Sequence, residues 1–110
     1  MSEKEIQNAI LIALSEIPCC RVWRQQSGTF IDPHRKGRRI KVGVPGMADI
    51  GAIYRGVAIQ IEVKDHRGRQ TDVQKRWQAW VERAGGIYRV CRSVEDAMSA
   101  IEEAKKKFID

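Results

Sequence analysis

Two acidic side chains and one lysine occupy positions from which a hairpin could gather them into one polar cluster. Asp49 begins a strand-like run at 49–54, while Glu62 and Lys64 alternate with apolar residues in the stretch "AIQIEVK" at 58–64. Carboxylate oxygens bind hard divalent cations, and an amine beside them can orient or deprotonate a water molecule. These residue types suggest metal-assisted hydrolysis, provided that the fold brings them together.

A two-residue turn at Arg55-Gly56 would set the register of this hairpin and place Asp49 opposite Glu62. Directly opposed residues share one face of a sheet, with Cβ atoms roughly 4.5–5.5 Å apart. Lys64 lies on that face too, because side chains alternate along a strand. Asp49, Glu62 and the carbonyl oxygen of Val63 could therefore supply part of a cation's ligand shell.

The same cluster has a simpler interpretation. Two opposed carboxylates repel each other, so a neighbouring positive charge must compensate. Lys64 alone could do this in a salt-bridge ladder on a solvated face, with no cation and no catalysis. From geometry alone both interpretations stay open.

Hydrophobic spacing predicts the elements that hold the cluster, in the order α-β-β-β-α-β-α within a single domain at 1–110. The helices are predicted at 3–17, 72–84 and 93–107, and the strands at 21–26, 49–54, 57–64 and 87–91. The helical crossover between the last two strands predicts that they run parallel, in a mixed α/β sheet flanked by helices. Residues 27–46 are predicted to form a long loop or a loose hairpin extension.

Two of the helices begin with a capping box, in which the side chains of the first and fourth residues close the free backbone N–H groups. Ser2 and Glu5 form one pair, and Thr71 and Gln74 form the other. The capping box therefore explains Glu5 and Gln74 as helix-capping residues.

The three tryptophans differ in the environment that their positions predict. Trp77 and Trp80 follow the apolar spacing of the second helix, which predicts core residues and not surfaces for base stacking. Trp23 lies in a weakly alternating strand and stays open.

Charge favours a polyanionic partner, because the chain carries a net charge of +6. Cations cluster in and beside two glycine-containing stretches, a first basic stretch "HRKGRR" at 34–39 and a second basic stretch "DHRGRQ" at 65–70, which could follow a phosphate backbone or could be solvated loops. The candidate DNA-binding residues are Arg35, Lys36, Arg38, Arg39, Lys41, Arg67 and Arg69. No apolar run approaches the roughly 18 residues of a membrane span, and the acidic N-terminus does not resemble a secretory signal. We therefore expect a cytoplasmic protein with no membrane partner.

Four stretches in order resemble the VRR-NUC (virus-type replication-repair nuclease) branch of the PD-(D/E)xK nuclease superfamily. They are "GVPGMADI" at 43–50, "IEVK" at 61–64, "TDVQ" at 71–74 and "GGIYRV" at 85–90. The one departure is Ala48, which stands where a proline often precedes the acid.

The resemblance implies a restriction-endonuclease-like α-β-β-β-α-β core and hydrolysis of DNA phosphodiesters with Mg²⁺ or Mn²⁺. The implied catalytic residues are Asp49, Glu62, Lys64, Gln74 and Glu5. The metal ligands would be Asp49, Glu62, the Val63 carbonyl and Glu5. One active site per small domain favours a homodimer, and we expect branched DNA, such as four-way (Holliday) junctions or flaps, as its substrate.

Three hypotheses follow. The first is a metal-dependent DNA endonuclease, and the second is a catalytically inactive DNA-binding module with the same fold. The third is a structural or partner-binding domain whose basic loops are only solvated. The intact set of Asp49, Glu62 and Lys64 argues against the second, and salt-dependent DNA binding would separate the third.

Overall fold

A computed structural model describes residues 1–25 and 28–108 and contains three helices and six strands within those ranges. The helices are α1 (Glu3–Ser15), α2 (Asp72–Arg83) and α3 (Val94–Lys106). The strands are β1 (Cys20–Arg24), β2 (Gly28–Ile31), β3 (Arg39–Val42), β4 (Ile50–Tyr54), β5 (Val57–Val63) and β6 (Ile87–Cys91). No helix in these ranges is long and apolar enough to cross a membrane.

Four of the strands form a mixed sheet in the order β1-β4-β5-β6. Strand β4 is antiparallel to both β1 and β5, and β5 is parallel to β6 across the α2 connection. The predicted α/β architecture, with its antiparallel meander and parallel crossover, is confirmed.

The two faces of the sheet have different coverings because side chains alternate along each strand. One face packs against α1 and α3 and holds the main core, which includes Ile10, Leu14, Ile50, Ile59, Ile61 and Ile101. The opposite face carries a smaller cluster of Ala48, Val81 and Tyr88, with Trp77 packed against it from α2. The second face is the one that can accommodate polar side chains.

The turn between β4 and β5 has the backbone conformation that a tight hairpin requires. Both Arg55 (φ 48°) and Gly56 (φ 88°) have positive φ, as in the type I′ turns that match the twist of paired strands. The resulting register pairs Ile50 with Ile61 and Tyr54 with Val57. The predicted register is confirmed, and its next step places Asp49 opposite Glu62.

Strands β2 and β3 resolve the open prediction for residues 27–46 in favour of a hairpin. They pair antiparallel in a two-stranded sheet of their own. At its tip the buried carboxylate of Asp32 accepts a hydrogen bond from the His34 N–H at 2.8 Å, and Arg38 Nη1 lies 3.6 Å from its other oxygen. The first basic stretch is therefore an ordered turn on a separate hairpin.

Trp80 corrects one prediction, because it is not a core residue. Its side chain is 55% exposed, whereas Trp77 is partly buried. The contact of α2 with the sheet centres on Val81, its one buried residue. Trp80 precedes Val81 by one position, which rotates it about 100° away from that contact.

Candidate active site

The predicted acidic pair is brought together on the α2 side of the sheet. Asp49 ends the loop that enters β4, and its Oδ2 accepts a hydrogen bond from the backbone N–H of Val63 at 2.8 Å. Glu62 lies opposite it on β5 and is only 3% exposed. A backbone donor on one strand therefore fixes the carboxylate of the other, and both acids lie at the same end of the hairpin.

Glu62 binds both of its partners through one oxygen. Its Oε2 lies 3.3 Å from Lys64 Nζ and accepts a hydrogen bond from Gln74 Nε2 at 3.1 Å. Its Oε1 is buried and has no hydrogen-bond partner among the described residues. A buried carboxylate oxygen without a partner is costly unless a ligand satisfies it.

Burial raises the pKa of Glu62 from its ordinary value of 4.5 to about 7, and the nearby Asp49 carboxylate raises it further while Lys64 lowers it. The desolvation and repulsion that disfavour the anion therefore exceed the attraction of one lysine. A bound cation would reverse this balance, because it stabilises the ionised form.

The donor set fits a hard divalent cation. The free Oε1 of Glu62 and the carboxylate of Asp49 are oxygen ligands of the kind that Mg²⁺ and Mn²⁺ bind. Val63 can offer only its backbone carbonyl, because a valine side chain carries no atom that binds a cation. Positions beyond these oxygens would go to water and substrate phosphate.

Glu5 does not join this set. Its Oε1 accepts a hydrogen bond from the Ser2 N–H at 3.2 Å, and its own N–H donates to the Ser2 hydroxyl at 3.1 Å. These bonds with Ser2 lower the pKa of Glu5. Within residues 1–25 and 28–108, no three His, Cys, Asp or Glu side chains are grouped to hold a metal ion.

Gln74 forms the predicted helix cap and also contacts the buried acid. Its Oε1 accepts from the Thr71 N–H at 2.9 Å, which completes the capping box, while its Nε2 donates to Glu62. The two neighbours fix the orientation of the amide, because a backbone N–H needs the oxygen and a carboxylate needs the nitrogen. The start of α2 is thus tied directly to the buried acid.

The loop "GVPG" at 43–46 presses against the first turn of α2. Gly46 has a φ of 78°, and a Cβ built on it would lie 2.4 Å from the carbonyl oxygen of Val73. Only glycine permits this approach. This contact packs the segment that leads to Asp49 against the helix turn that contains Gln74.

A glutamine network beside the acids could not be recognised in the sequence. Gln25 Nε2 donates to Gln60 Oε1 at 2.9 Å and to the Ala48 carbonyl at 3.0 Å, and Gln60 Nε2 donates back to Gln25 Oε1 at 3.2 Å. The indole N–H of Trp77 also donates to Gln60 Oε1, at 3.1 Å. These bonds connect β1, β5 and α2 across the polar face.

Tyr88 is a second residue that sequence reasoning missed, because its place in "GGIYRV" reads as an ordinary buried strand position. Its side chain is fully buried, and its hydroxyl has no hydrogen-bond partner among the described residues. Burial raises the pKa of Tyr88 to about 12, and the charges of Glu62 and Asp49 contribute to the shift. The phenol is therefore a neutral group near the two acids.

The second basic stretch lies against Lys64, because a Cβ built on Gly68 would be 3.1 Å from Cδ of Lys64, and it gains partners from elsewhere in the chain. Arg67 and Arg69 line a cleft of about 530 Å³ together with Arg92. Arg69 and Arg92 also line a neighbouring cleft of about 300 Å³ with Gln70 and Lys75. Lys75 and Arg92 were not predicted, because only the fold brings the end of β6 to this loop.

The first basic stretch belongs to the β2–β3 hairpin, which forms a sheet separate from the one that holds the cluster. Arg35, Lys36 and Arg38 lie in the turn of the β2–β3 hairpin, and Arg39 begins β3. The Lys41 backbone belongs to β3, but its side chain lies outside the described residues.

Comparisons with known proteins agree with the fold. No family model matches the chain, and no curated protein does. A solved structure described as a VRR_NUC domain superposes with a TM-score of 0.59 at 21% identity, covering 93% of this chain and 97% of that one. The chain therefore has the fold of a VRR_NUC domain over nearly its whole length.

Proposed function

We propose that this chain is a metal-dependent DNA endonuclease of the VRR-NUC type. The observation that carries the proposal is the buried Glu62 carboxylate, which lies opposite a second acid: Lys64 and Gln74 hold one of its oxygens, and the other has no partner among the described residues. The likeness to a VRR_NUC domain supports a nuclease-type fold. The basic clefts lined by the second basic stretch support a nucleic-acid substrate.

Asp49, Glu62 and the carbonyl of Val63 would hold Mg²⁺ or Mn²⁺. When bound, the cation supplies positive charge that polarises a phosphodiester and favours departure of a sugar oxygen. The chain's own contribution is positional. Gln74 fixes one oxygen of Glu62, so that the other stays directed away from the helix cap, and the backbone of Val63 fixes Asp49.

Lys64 is the residue that we assign to the attacking water. Its side chain is 12% exposed, so its amine is withdrawn from bulk solvent but open to one side. In that position its ammonium group donates to the water and orients it as the water oxygen bonds to phosphorus, and the proton of the water passes to bulk water. One phosphorus–oxygen bond to a sugar then breaks, which leaves a phosphate end and a hydroxyl end.

Branched DNA and dimerisation belong to the same proposal. The chain has one proposed active site among its described residues, and cutting both strands of a junction then favours two copies. A symmetric dimer is the most common way to pair two sites. We therefore propose a homodimer acting on four-way junctions or flaps.

A cleavage assay on duplex, flap and four-way-junction DNA tests the proposal, with Mg²⁺, Mn²⁺ and EDTA in parallel. Wild-type protein should cut with either metal and not with EDTA. Lys64→Ala should keep its fold and its DNA affinity but lose cleavage, whereas Lys106→Ala on α3 serves as the matched control and should cut normally.

Equal cutting by Lys64→Ala would remove the role assigned to this amine. Binding without cleavage under either metal would support the inactive DNA-binding module instead. Sedimentation of the free and DNA-bound protein tests the dimer independently, and a monomer in both states would contradict it.

The two basic stretches provide a second test of the DNA path. Removing one cation that binds a phosphate should reduce the slope of log affinity against log salt by about 0.9 for duplex DNA. Neutralising Arg67 and Arg69, in the cleft beside the acids, should flatten the slope. Neutralising Arg38 and Arg39 tests whether DNA also reaches the hairpin, and a wild-type slope there would exclude that interaction.

A further inference from the structure

An open apolar groove lies between the "GVPG" loop and α2, and the nuclease proposal makes no use of it. Its volume is about 420 Å³, and it is lined by Val44, Pro45, Arg76, Trp77 and Trp80. Trp80 and Val44 are both exposed. An exposed tryptophan next to other apolar side chains needs an explanation, because such patches commonly mark binding surfaces.

The two indoles form a rigid parallel stack. Their ring centroids lie 5.3 Å apart, with planes inclined by 6°. The inner indole, Trp77, is fixed because its N–H donates to Gln60 Oε1 in the glutamine network. Trp80 thus rests on an anchored ring while more than half of its surface faces solvent.

The groove adjoins the candidate active site through two contacts. Pro45 is followed by Gly46, whose backbone touches Val73, and the next residue on α2 is Gln74. Trp77 lies one turn further along the same helix and contacts Gln60, two residues before Glu62 on β5. A DNA strand held at the acids would therefore pass close to the stacked indoles.

We propose that Trp80, supported by Trp77, is a stacking platform for an unpaired nucleobase of the strand held at the acidic cluster. This inference rests on the proposed function and specifies it, since it assigns a preference for DNA with unpaired bases. Every base has a π-face that stacks on an aromatic ring, and a neighbouring arginine adds a cation for phosphate or base. Arg76 supplies that cation at the groove.

A second copy of the chain fits this groove less well. A stable protein interface uses about 20–30 residues on each side, whereas five residues line the groove and one of them is a cation. A single flat base with its phosphate matches both the small size and the charge.

Affinity for single-stranded DNA in EDTA tests the platform without cleavage. Fluorescence anisotropy would compare a short labelled strand with the same strand carrying abasic sites. Trp80→Leu should bind the intact strand about tenfold more weakly than wild type, since removing the stacking of one base has that effect. Trp80→Phe should recover most of the affinity because it keeps an aromatic face.

The abasic strand separates stacking from a general surface effect. The affinity of wild type should fall about tenfold when the bases are removed. Trp80→Leu should bind the intact and the abasic strand with equal affinity. Ile12→Ala is the matched control, because Ile12 is 62% exposed on α1, which packs against the other face of the sheet. It should behave as wild type with both strands.

The outcomes distinguish this inference from the nuclease proposal. Cleavage that needs metal, combined with an unchanged preference of Trp80→Leu for intact over abasic strands, overturns the platform and leaves the nuclease standing. A base preference that depends on Trp80 without any cleavage supports the platform and contradicts the nuclease. A change of oligomeric state in Trp80→Leu with unaltered DNA affinity would assign the groove to a second copy of the chain and overturn the platform. Failure of the wild-type protein to bind single strands at all would also overturn it.

Discussion

The first turns of α1 and α2 contain the same capping box, and only one of them reaches the acidic cluster. At α1, Ser2 and Glu5 exchange two hydrogen bonds, and no further partner of the Glu5 carboxylate lies among the described residues. At α2, Thr71 and Gln74 make the equivalent exchange, and the free end of the Gln74 amide holds Glu62. Local sequence therefore determines the cap, and the position of the helix determines whether the cap acquires a second role.

The chemical difference between the two boxes follows from their surroundings. A glutamine keeps a donor free after its oxygen has capped the helix, whereas an ionised glutamate offers only acceptors. Beside the buried carboxylate of Glu62, a donor stabilises and a second acceptor repels. Glutamine is therefore favoured at the fourth position of the α2 capping box, whereas glutamine and glutamate are equally compatible with the α1 capping box.

Reciprocal substitutions give the largest expected effect. Gln74→Glu keeps an oxygen for the cap but presents an acceptor to Glu62, so we expect cleavage to fall about 10- to 100-fold, the usual cost of losing a residue that orients a metal ligand. Glu5→Gln should leave cleavage unchanged, since the box tolerates both residues. The measurement is the single-turnover rate with Mg²⁺.

A large loss of cleavage in Glu5→Gln would reverse this comparison. It would restore Glu5 to the metal or catalytic role that the family resemblance implies. Unchanged cleavage in Gln74→Glu would show that Gln74 acts only as a cap.

The pH dependence of stability separates Glu62 from an ordinary surface acid. Its pKa is raised to about 7, so between pH 4.5 and 7 the folded state binds more protons than the unfolded chain. The free energy of unfolding should therefore fall as pH rises through that window, by on the order of 3 kcal/mol. Urea titrations in EDTA measure this, and Glu62→Gln should flatten the profile.

Stability that rises over the same window in wild type would contradict the repulsive, desolvated environment assigned to Glu62. Adding Mg²⁺ at pH 8 provides the complementary observation. It should raise the melting temperature of wild type and leave that of Glu62→Gln nearly unchanged.

Removing the cap hydroxyls should show that both caps stabilise the fold and that only the cap of α2 also supports cleavage. Ser2→Ala and Thr71→Ala should each lower the free energy of unfolding by about 1 kcal/mol, the usual value of an N-cap. Only Thr71→Ala should also slow cleavage, because it loosens the turn that positions Gln74. Equal effects of both variants on cleavage would argue that the slower rate reflects lost stability alone.

The smallest expected effect belongs to Glu5. Hydrogen bonds with Ser2 lower the pKa of Glu5, so its contribution to stability is present above the ordinary glutamate pKa and is lost as pH falls below it. Glu5→Gln should remove this slight acid dependence, in the direction opposite to that of Glu62→Gln. Matched acid-range melting curves of the two variants check the sign.

Sequence reasoning succeeded where local chemistry decides the outcome. The capping boxes, the Arg55-Gly56 turn and the alternation along β5 are short-range features, and they led to the correct helices and to the register that pairs Asp49 with Glu62. The mixed sheet followed because a helical crossover constrains the strands that it joins.

Long-range contacts explain what was missed. Gln25 and Tyr88 gain their positions from strands distant in the chain, and Arg92 meets the second basic stretch only after β6 pairs with β5. Trp80 was misplaced because apolar spacing shows which side of a helix is hydrophobic, but not how much of it the neighbouring sheet covers.

The amino-acid sequence by itself determined that two acids and a lysine share one face of a hairpin, because turn geometry and strand alternation act over a few residues. Only the tertiary structure decided that Glu62 is buried with one oxygen free, and that Gln74 and not Glu5 contacts it. The reason is physical. The desolvation of Glu62 and the approach of Gln74 to it depend on the packing of the "GVPG" loop against α2, and chain segments far apart in sequence create that contact.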